Sequence, residues 1–353
     1  MLYRLVGVLS ISLLMTACAR PVDRGQQYLD GSFDEVLNPI VVVNSDKPRD
    51  YSGFRPQLEK VEEVSPSLTE KHKALYSRLQ RWLTDSGQPD ELINYGIEPQ
   101  QMGGGDGYGN VLFTGYFSPV IEMRHKPDAE YRYPVYGLPS CDDTCPTREQ
   151  IYQGALDGKG LELGYSASLI DNFIMEVQGS GFVHYGDTDD LEYFAYAGKN
   201  GHPYVSIGKV LIERGEVPRE KMSLKAIQEW VAAHDKDEVL ELLNHNTSFV
   251  FFQPKDAHPV TGTAGVPLLA GASVAADRDY LPMGSVILAE VPELNEQGNW
   301  NGKHTLRLLM ALDTGGVVKG NHLDLYHGMG EEAGITAGHY KYFGRVWKLA
   351  TLN

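Results

Sequence analysis

From residue 246 to its C-terminus the chain reads as one short strand after another. NTSFVFFQP (246–254), SVAAD, SVILAEV, LRLLMALD, GGVVKG and GRVWKLA are rich in β-branched and bulky apolar residues, with glycine and proline between them. No crossover helix stands out between these runs, and parallel strands in an open sheet need one. A compact barrel, which hides its own edges, fits better than an open parallel sheet.

The 353 residues suffice for two domains, and 38 glycines and 19 prolines imply many turns. No internal repeat is visible. Residues 19–60 are polar with little periodicity and read as a tether. SLTEKHKALYSRLQRWL (67–83) predicts a helix, with Ser67 and Glu70 as a capping box and Leu68, Leu75, Leu79 and Trp82 on one face. GGGDGYG (103–109) reads as a flexible loop; no GK[ST] follows it, so it is no phosphate cradle. Residues 111–136, 173–186 (FIMEVQGSGFVHYG) and 193–198 (YFAYAG) read as strands. Helices are expected over 206–215 and 224–245, the second interrupted at Asp235.

A formal charge of −16 and the absence of any five-residue basic run argue against a nucleic-acid partner. At the N-terminus, Arg4 precedes an apolar run, Leu5 to Met15, that is too short to span a bilayer. Thr16-Ala17-Cys18 closes it and resembles a bacterial lipobox, with Met15 where leucine is usual. Residues 1–17 are therefore expected to be a lipoprotein signal peptide, Cys18 the lipidated residue and 18–60 the tether. A plain secretory peptide is the alternative. Ala19 rather than aspartate after the cysteine favours an outer-membrane anchor facing the periplasm. The remaining cysteines, Cys141 and Cys145 in SCDDTCP, are expected to form a small-loop disulfide in that oxidising compartment.

The chemistry concentrates in ALDTGGVVKGNHLDLYHG (311–328). Glycoside cleavage needs a carboxylic acid that keeps its proton near neutral pH, and a partly apolar site provides that by desolvation. Asp324 is flanked by Leu323 and Leu325, so strand alternation points it away from their face. Asp313 ends LRLLMALD eleven residues earlier; if GGVVKG returns as a hairpin, both carboxylates meet at one barrel mouth. The alternatives are a plain turn starter at Asp313 and a metal site of His322, Asp324 and His327, for which no second ligand cluster is visible. Ser180 in QGSGF lacks nucleophile-elbow spacing; with Gln178 it suits a groove wall that bonds sugar hydroxyls. Tyr116, Phe117, Tyr193, Phe194, Tyr196 and Tyr204 are candidates to stack on sugars, core packing being the commoner fate of an aromatic.

From about residue 110 onward the chain resembles the membrane-bound lytic murein transglycosylase A family. FTGYFSPVIEMRH, DNFIMEVQGSGF, YAGKNGHPYVSIGKVLIERGEVP, SFVFF, VPLLAGASVAADR and LDTGGVVKGNHLDLYHGMGEEAG followed by GRVWKL carry the resemblance. It implies a mainly β fold with a few helices: a double-psi β-barrel domain (61–114 and 254–353), a smaller inserted β-domain (115–253) and a groove between them. It implies cleavage of the β-1,4 bond between N-acetylmuramic acid and N-acetylglucosamine of peptidoglycan, ending in a 1,6-anhydro ring. Asp324 then takes the catalytic position of a His-Phe-Asp stretch, here with Leu323 for Phe, and Asp313 supports it. His327 stands where glutamine is common, and Phe117 replaces a frequent tyrosine. Thr114, Tyr116, Gln178, Ser180 and Asp277 fall at substrate-facing positions, an Asp277–Arg278 pair being the alternative for the last. No cofactor and no metal are implied; the expected partners are peptidoglycan strands, the outer membrane through the anchor, and cell-wall synthase complexes. The rivals are a non-catalytic peptidoglycan-binding outer-membrane lipoprotein and a glucan hydrolase.

Overall fold

The computed structural model describes residues 37–104, 109–141, 144–186, 190–255 and 259–352. Cys18, the signal segment and the centre of GGGDGYG lie outside the described residues. The N-terminal part supplies β1 (Leu37–Pro39), β2 (Arg49–Asp50), α1 (Phe54–Val64), α2 (Pro66–Asp85), β3 (Ile97–Met102) and β4 (Val111–Ser118). Next come β5 (Val120–Arg124), β6 (Tyr133–Tyr136), α3 (Arg148–Tyr152), β7 (Glu162–Ser166), α4 (Leu169–Gln178) and β8 (Gly181–His184). β9 (Glu192–Lys199), α5 (Ile207–Glu213), α6 (Leu224–Ala233), α7 (Lys236–Asn244) and β10 (Val250–Lys255) follow. The C-terminal part is β11 (Ser273–Ala275), β12 (Val286–Leu294), β13 (Trp300–Asp313), β14 (His322–Met329), α8 (Glu331–His339), β15 (Lys341–Gly344) and β16 (Val346–Thr351).

Two sheets result. The larger runs β1-β3-β16-β12-β13-β11-β14-β4-β15, with β2 on β13. The smaller runs β10-β9-β8-β5-β7-β6, so the chain leaves the first sheet at Pro119. The larger sheet closes on itself because β15 runs through Arg345 directly into β16. There the Glu290 N–H donates to the Arg345 carbonyl at 2.8 Å, and the Arg345 guanidinium clasps the Glu290 carboxylate at 2.9 and 2.6 Å. A Cβ at residue 344 would sit 1.8 Å from the Glu290 carbonyl oxygen, so only glycine lets the ring close. The ring mixes antiparallel pairs with two parallel ones, β11 on β13 and β4 on β14.

Both faces of the central strands are buried, which accounts for the unbroken apolar run in β13. Leu309 and Ala311 point into the barrel with Val274, Ile287, Leu323 and Leu325. Leu306, Leu308, Met310 and Leu312 point outward under α1 and α2. Leu79 and Trp82 of α2 are fully buried there; each such side chain contributes about 1.5–3 kcal/mol.

Several expectations are corrected. The tether does not extend to residue 60: Phe54, Leu58 and Val61, spaced for one helix face, dock α1 into the outer core. α2 starts at Pro66 in the N1 position, so Ser67 lies within the first turn and is not its cap. Residues 173–178 are helical rather than extended, because the Ser168 hydroxyl caps α4 by accepting from Asp171 N–H and Gly179 ends it in the left-handed region. Leu169, Ile170, Phe173 and Ile174 do recur at helical spacing, and a run taken from Phe173 onward cuts that period short. α8, with its two glycines, was not foreseen. Asp235 does divide two helices, its carboxylate accepting from the Asp237 and Glu238 N–H groups. Cys141 and Cys145 are joined by a disulfide.

Candidate active site

The face of β14 opposite Leu323 and Leu325 carries His322, Asp324 and Tyr326. β4 lies parallel beside it, pairing Thr114 with Asp324 and Tyr116 with Tyr326. The Thr114 Oγ1 atom stands 2.7 Å from Asp324 Oδ1 and 2.7 Å from His322 Nε2. Burial pushes the Asp324 carboxyl from 3.8 up to about 7; a hydroxyl hydrogen from Thr114 would oppose that shift, and the nearby Asp313 charge adds to it. Burial pulls the His322 imidazole down to about 4, against a hydrogen bond to the Val317 backbone.

Asp313 is not brought to Asp324 by a hairpin. Residues 314–321 form a loop, and β11 lies between the two strands with Ala275 in register with both aspartates. Asp313 Oδ1 accepts from Thr263 N–H, the Thr263 hydroxyl and Thr314 N–H at 2.8, 2.7 and 2.8 Å, and Oδ2 accepts from the Tyr116 hydroxyl at 3.1 Å. Tyr116 thus bonds Asp313 and lies in the field of Asp324 too: its own ionisation is pushed far up by burial and then by both their charges. Thr263 escaped the sequence reading: TGTAG looks like any turn, and nothing local says it faces Asp313. Gly262 permits the approach, since a Cβ there would meet the Leu312 carbonyl at 2.4 Å.

The other sequence-predicted residues lie around this centre. Asp277 Oδ2 accepts from Gly320 N–H at 3.0 Å and so pins the 314–321 loop; no Asp277–Arg278 ion pair exists among the described residues. Gln178 Oε1 accepts from Phe117 N–H at 3.1 Å, tying the end of α4 to β4, and Ser180 lies half-buried just beyond. Phe117, Tyr193 and Phe194 are buried, whereas Tyr196 and Tyr204 are exposed. His327 packs on Tyr340 while His322 turns to Thr114, and no group of three or more potential metal ligands converges among the described residues.

A family model described as the MltA specific insert domain matches residues 112–144 and 141–253, and one described as the 3D domain matches 272–350. The chain is 63% identical over 350 residues, 99% of its length and 95% of the relative's, to a Vibrio cholerae protein named membrane-bound lytic murein transglycosylase A. A protein of the same name from Escherichia coli K12 is 47% identical over 353 residues, 99% of this chain and 95% of that one. Among solved structures, E. coli MltA with bound chitohexaose matches with a TM-score of 0.88 at 47% identity, covering 95% of this chain and 100% of that one. A membrane-bound lytic murein transglycosylase from Agrobacterium tumefaciens matches with a TM-score of 0.67 at 26% identity, covering 90% and 98%.

Proposed function

The chain belongs to the membrane-bound lytic murein transglycosylase A family, and on that premise we propose that Asp324 alone serves as both acid and base in its reaction. The protein is an enzyme, a peptidoglycan lytic transglycosylase, which breaks the β-1,4 bond between N-acetylmuramic acid and N-acetylglucosamine and leaves a 1,6-anhydromuramoyl end. The observation that carries the proposal is a single half-buried carboxyl on the outer face of the barrel, 2.7 Å from the Thr114 hydroxyl, which burial pushes up to about 7. A carboxyl raised that far can hold a proton to donate near neutral pH, and the donation itself leaves the base.

Protonated Asp324 gives its proton to the glycosidic oxygen as the bond to the anomeric carbon breaks. The resulting carboxylate then takes the proton of the muramoyl 6-hydroxyl, whose oxygen closes on the anomeric carbon. That attack is intramolecular and needs no ordered water. Because the muramoyl 6-hydroxyl is the attacking group, Asp313 is not needed as a nucleophile. Its negative charge, held by Thr263, Thr314 and Tyr116, favours the positive charge that develops on the sugar. Tyr116 beside Asp313, and Gln178 and Ser180 at the end of α4, are the residues proposed to meet the glycan.

We further propose that Cys18 carries a lipid that holds the enzyme at the outer membrane, facing the periplasm, where cell-wall synthase complexes are its expected company. Its relatives are named membrane-bound, and no helix among the described residues is long and apolar enough to cross a membrane. Mass spectrometry of peptidoglycan digested by the full chain tests the reaction. Anhydromuramoyl products lost in Asp324→Asn support the proposal; reducing ends, or activity near wild type in that variant, overturn it.

A further inference from the structure

We propose that Thr114 and His322 form a hydrogen-bonded chain that keeps the catalytic proton on Asp324, which makes both of them positioning residues rather than sugar contacts. The inference rests on the reading of Asp324 as the acid. Three contacts lie in line: Asp324 Oδ1 to Thr114 Oγ1, Thr114 Oγ1 to His322 Nε2, and the imidazole to the Val317 backbone. The last contact favours the protonated ring, so the backbone group is the carbonyl and the ring donates to it.

The hydrogens can then be counted. A neutral imidazole has one N–H, and the Val317 carbonyl takes it, which leaves Nε2 as an acceptor. Thr114 has one O–H, and Nε2 takes that. With Asp324 ionised, Thr114 donates across the remaining 2.7 Å contact; once Nε2 holds that hydrogen the contact needs a third, and we assign it to Asp324's own proton. When Asp324 is ionised, two hydrogens serve three contacts and a pair of lone pairs face each other in a buried place. Moving the proton along the chain instead would create a buried imidazolium beside a buried carboxylate, and burial already holds His322 neutral.

The loop supports this arrangement. Asp277 grips Gly320 N–H, and that grip holds the 314–321 segment that brings the Val317 carbonyl to His322. The other ionisable groups around Asp324 are Tyr116 on β4, Tyr326 on β14, Asp313 on β13 and Lys341, opposite Thr114 on β15. The Lys341 ammonium donates to the Met222 carbonyl.

The test is an infrared titration of the full chain labelled with 13C-aspartate, with the Asp324 band identified by its loss in Asp324→Asn. It is run beside the pH profile of kcat/KM. In His322→Phe the Thr114 hydroxyl is released to donate to Asp324. Its pKa is then expected to fall by about one unit, with the alkaline limb of the profile shifting equally, a tenfold change in proton affinity. Thr114→Val removes the hydroxyl altogether and should leave that pKa at or above the wild-type value, while Thr114→Ser should restore wild-type behaviour. An unchanged Asp324 titration in His322→Phe overturns the chain, since a hydroxyl that merely donates to Asp324 predicts no shift. If Asp324 is not the acid, Asp324→Asn stays active while the infrared shift still reports the chain.

Discussion

Asp313 and Asp324 are register partners of one residue, Ala275, from opposite sides of β11. The strand between them keeps the carboxylates apart, yet Tyr116 reaches across to Asp313 and feels both charges. One carboxyl is wrapped in donors and the other is raised to about 7 by burial, so two like groups sit in unlike surroundings.

The titration of Asp324, the proposed acid, sets a pH dependence in activity and in stability. Because Asp324 must be protonated to donate, kcat/KM is expected to fall above about pH 7. Its folded pKa lies above the ordinary 3.8, so its contribution to stability is complete below about pH 4 and is lost as pH rises through about 7. The loss is at most about 4 kcal/mol, from three pKa units. Asp324→Asn should therefore melt higher than wild type at pH 8 and show little gain at pH 4, as read by thermal unfolding at both pH values. Equal melting temperatures at pH 8 would contradict the raised pKa.

Gly262→Ala should damage the Asp313 side of the site. The new Cβ would fall 2.4 Å from the Leu312 carbonyl oxygen and 3.0 Å from Asp313 Cβ, so the loop must withdraw and take Thr263 with it. A stability loss of about 1–3 kcal/mol is expected, with a fall in kcat larger than the change in KM. Chemical denaturation and steady-state kinetics measure the two, and an unaltered kcat would separate Asp313 from catalysis.

A buried ion pair, Arg148 with Glu176, ties α3 to α4 beside the smaller sheet. The side chains are 1% and 4% exposed, and the guanidinium also donates to the Asn246 and Ser248 carbonyls. Arg148→Met alone leaves a buried carboxylate without its cation and should cost about 3–5 kcal/mol. Adding Glu176→Leu should recover most of it, since replacing both partners removes the stranded charge. Urea unfolding of the two variants distinguishes this from simple loss of packing, for which the double variant would be the weaker.

Local patterns carried much of this molecule. Alternation about Asp324 between Leu323 and Leu325 placed it outside the barrel, and Asp235 announced a helix start by its own hydrogen-bonding capacity. These depend only on neighbours in the chain, and so they are legible in order. Other features depended on long-range packing. α4 read as a strand because its helical period starts at Leu169, behind the Ser168 cap, and the apolar run from Phe173 shows only its second half before Gly179 and β8. β11 entered between Asp313 and Asp324 from some forty residues upstream, and Thr263 reached Asp313 only because Gly262 let two backbones touch. The candidate acid was thus written in the sequence, as a carboxylate between two leucines. Its raised pKa and its partners were decided by tertiary structure, because desolvation and hydrogen-bond count exist only once distant segments meet.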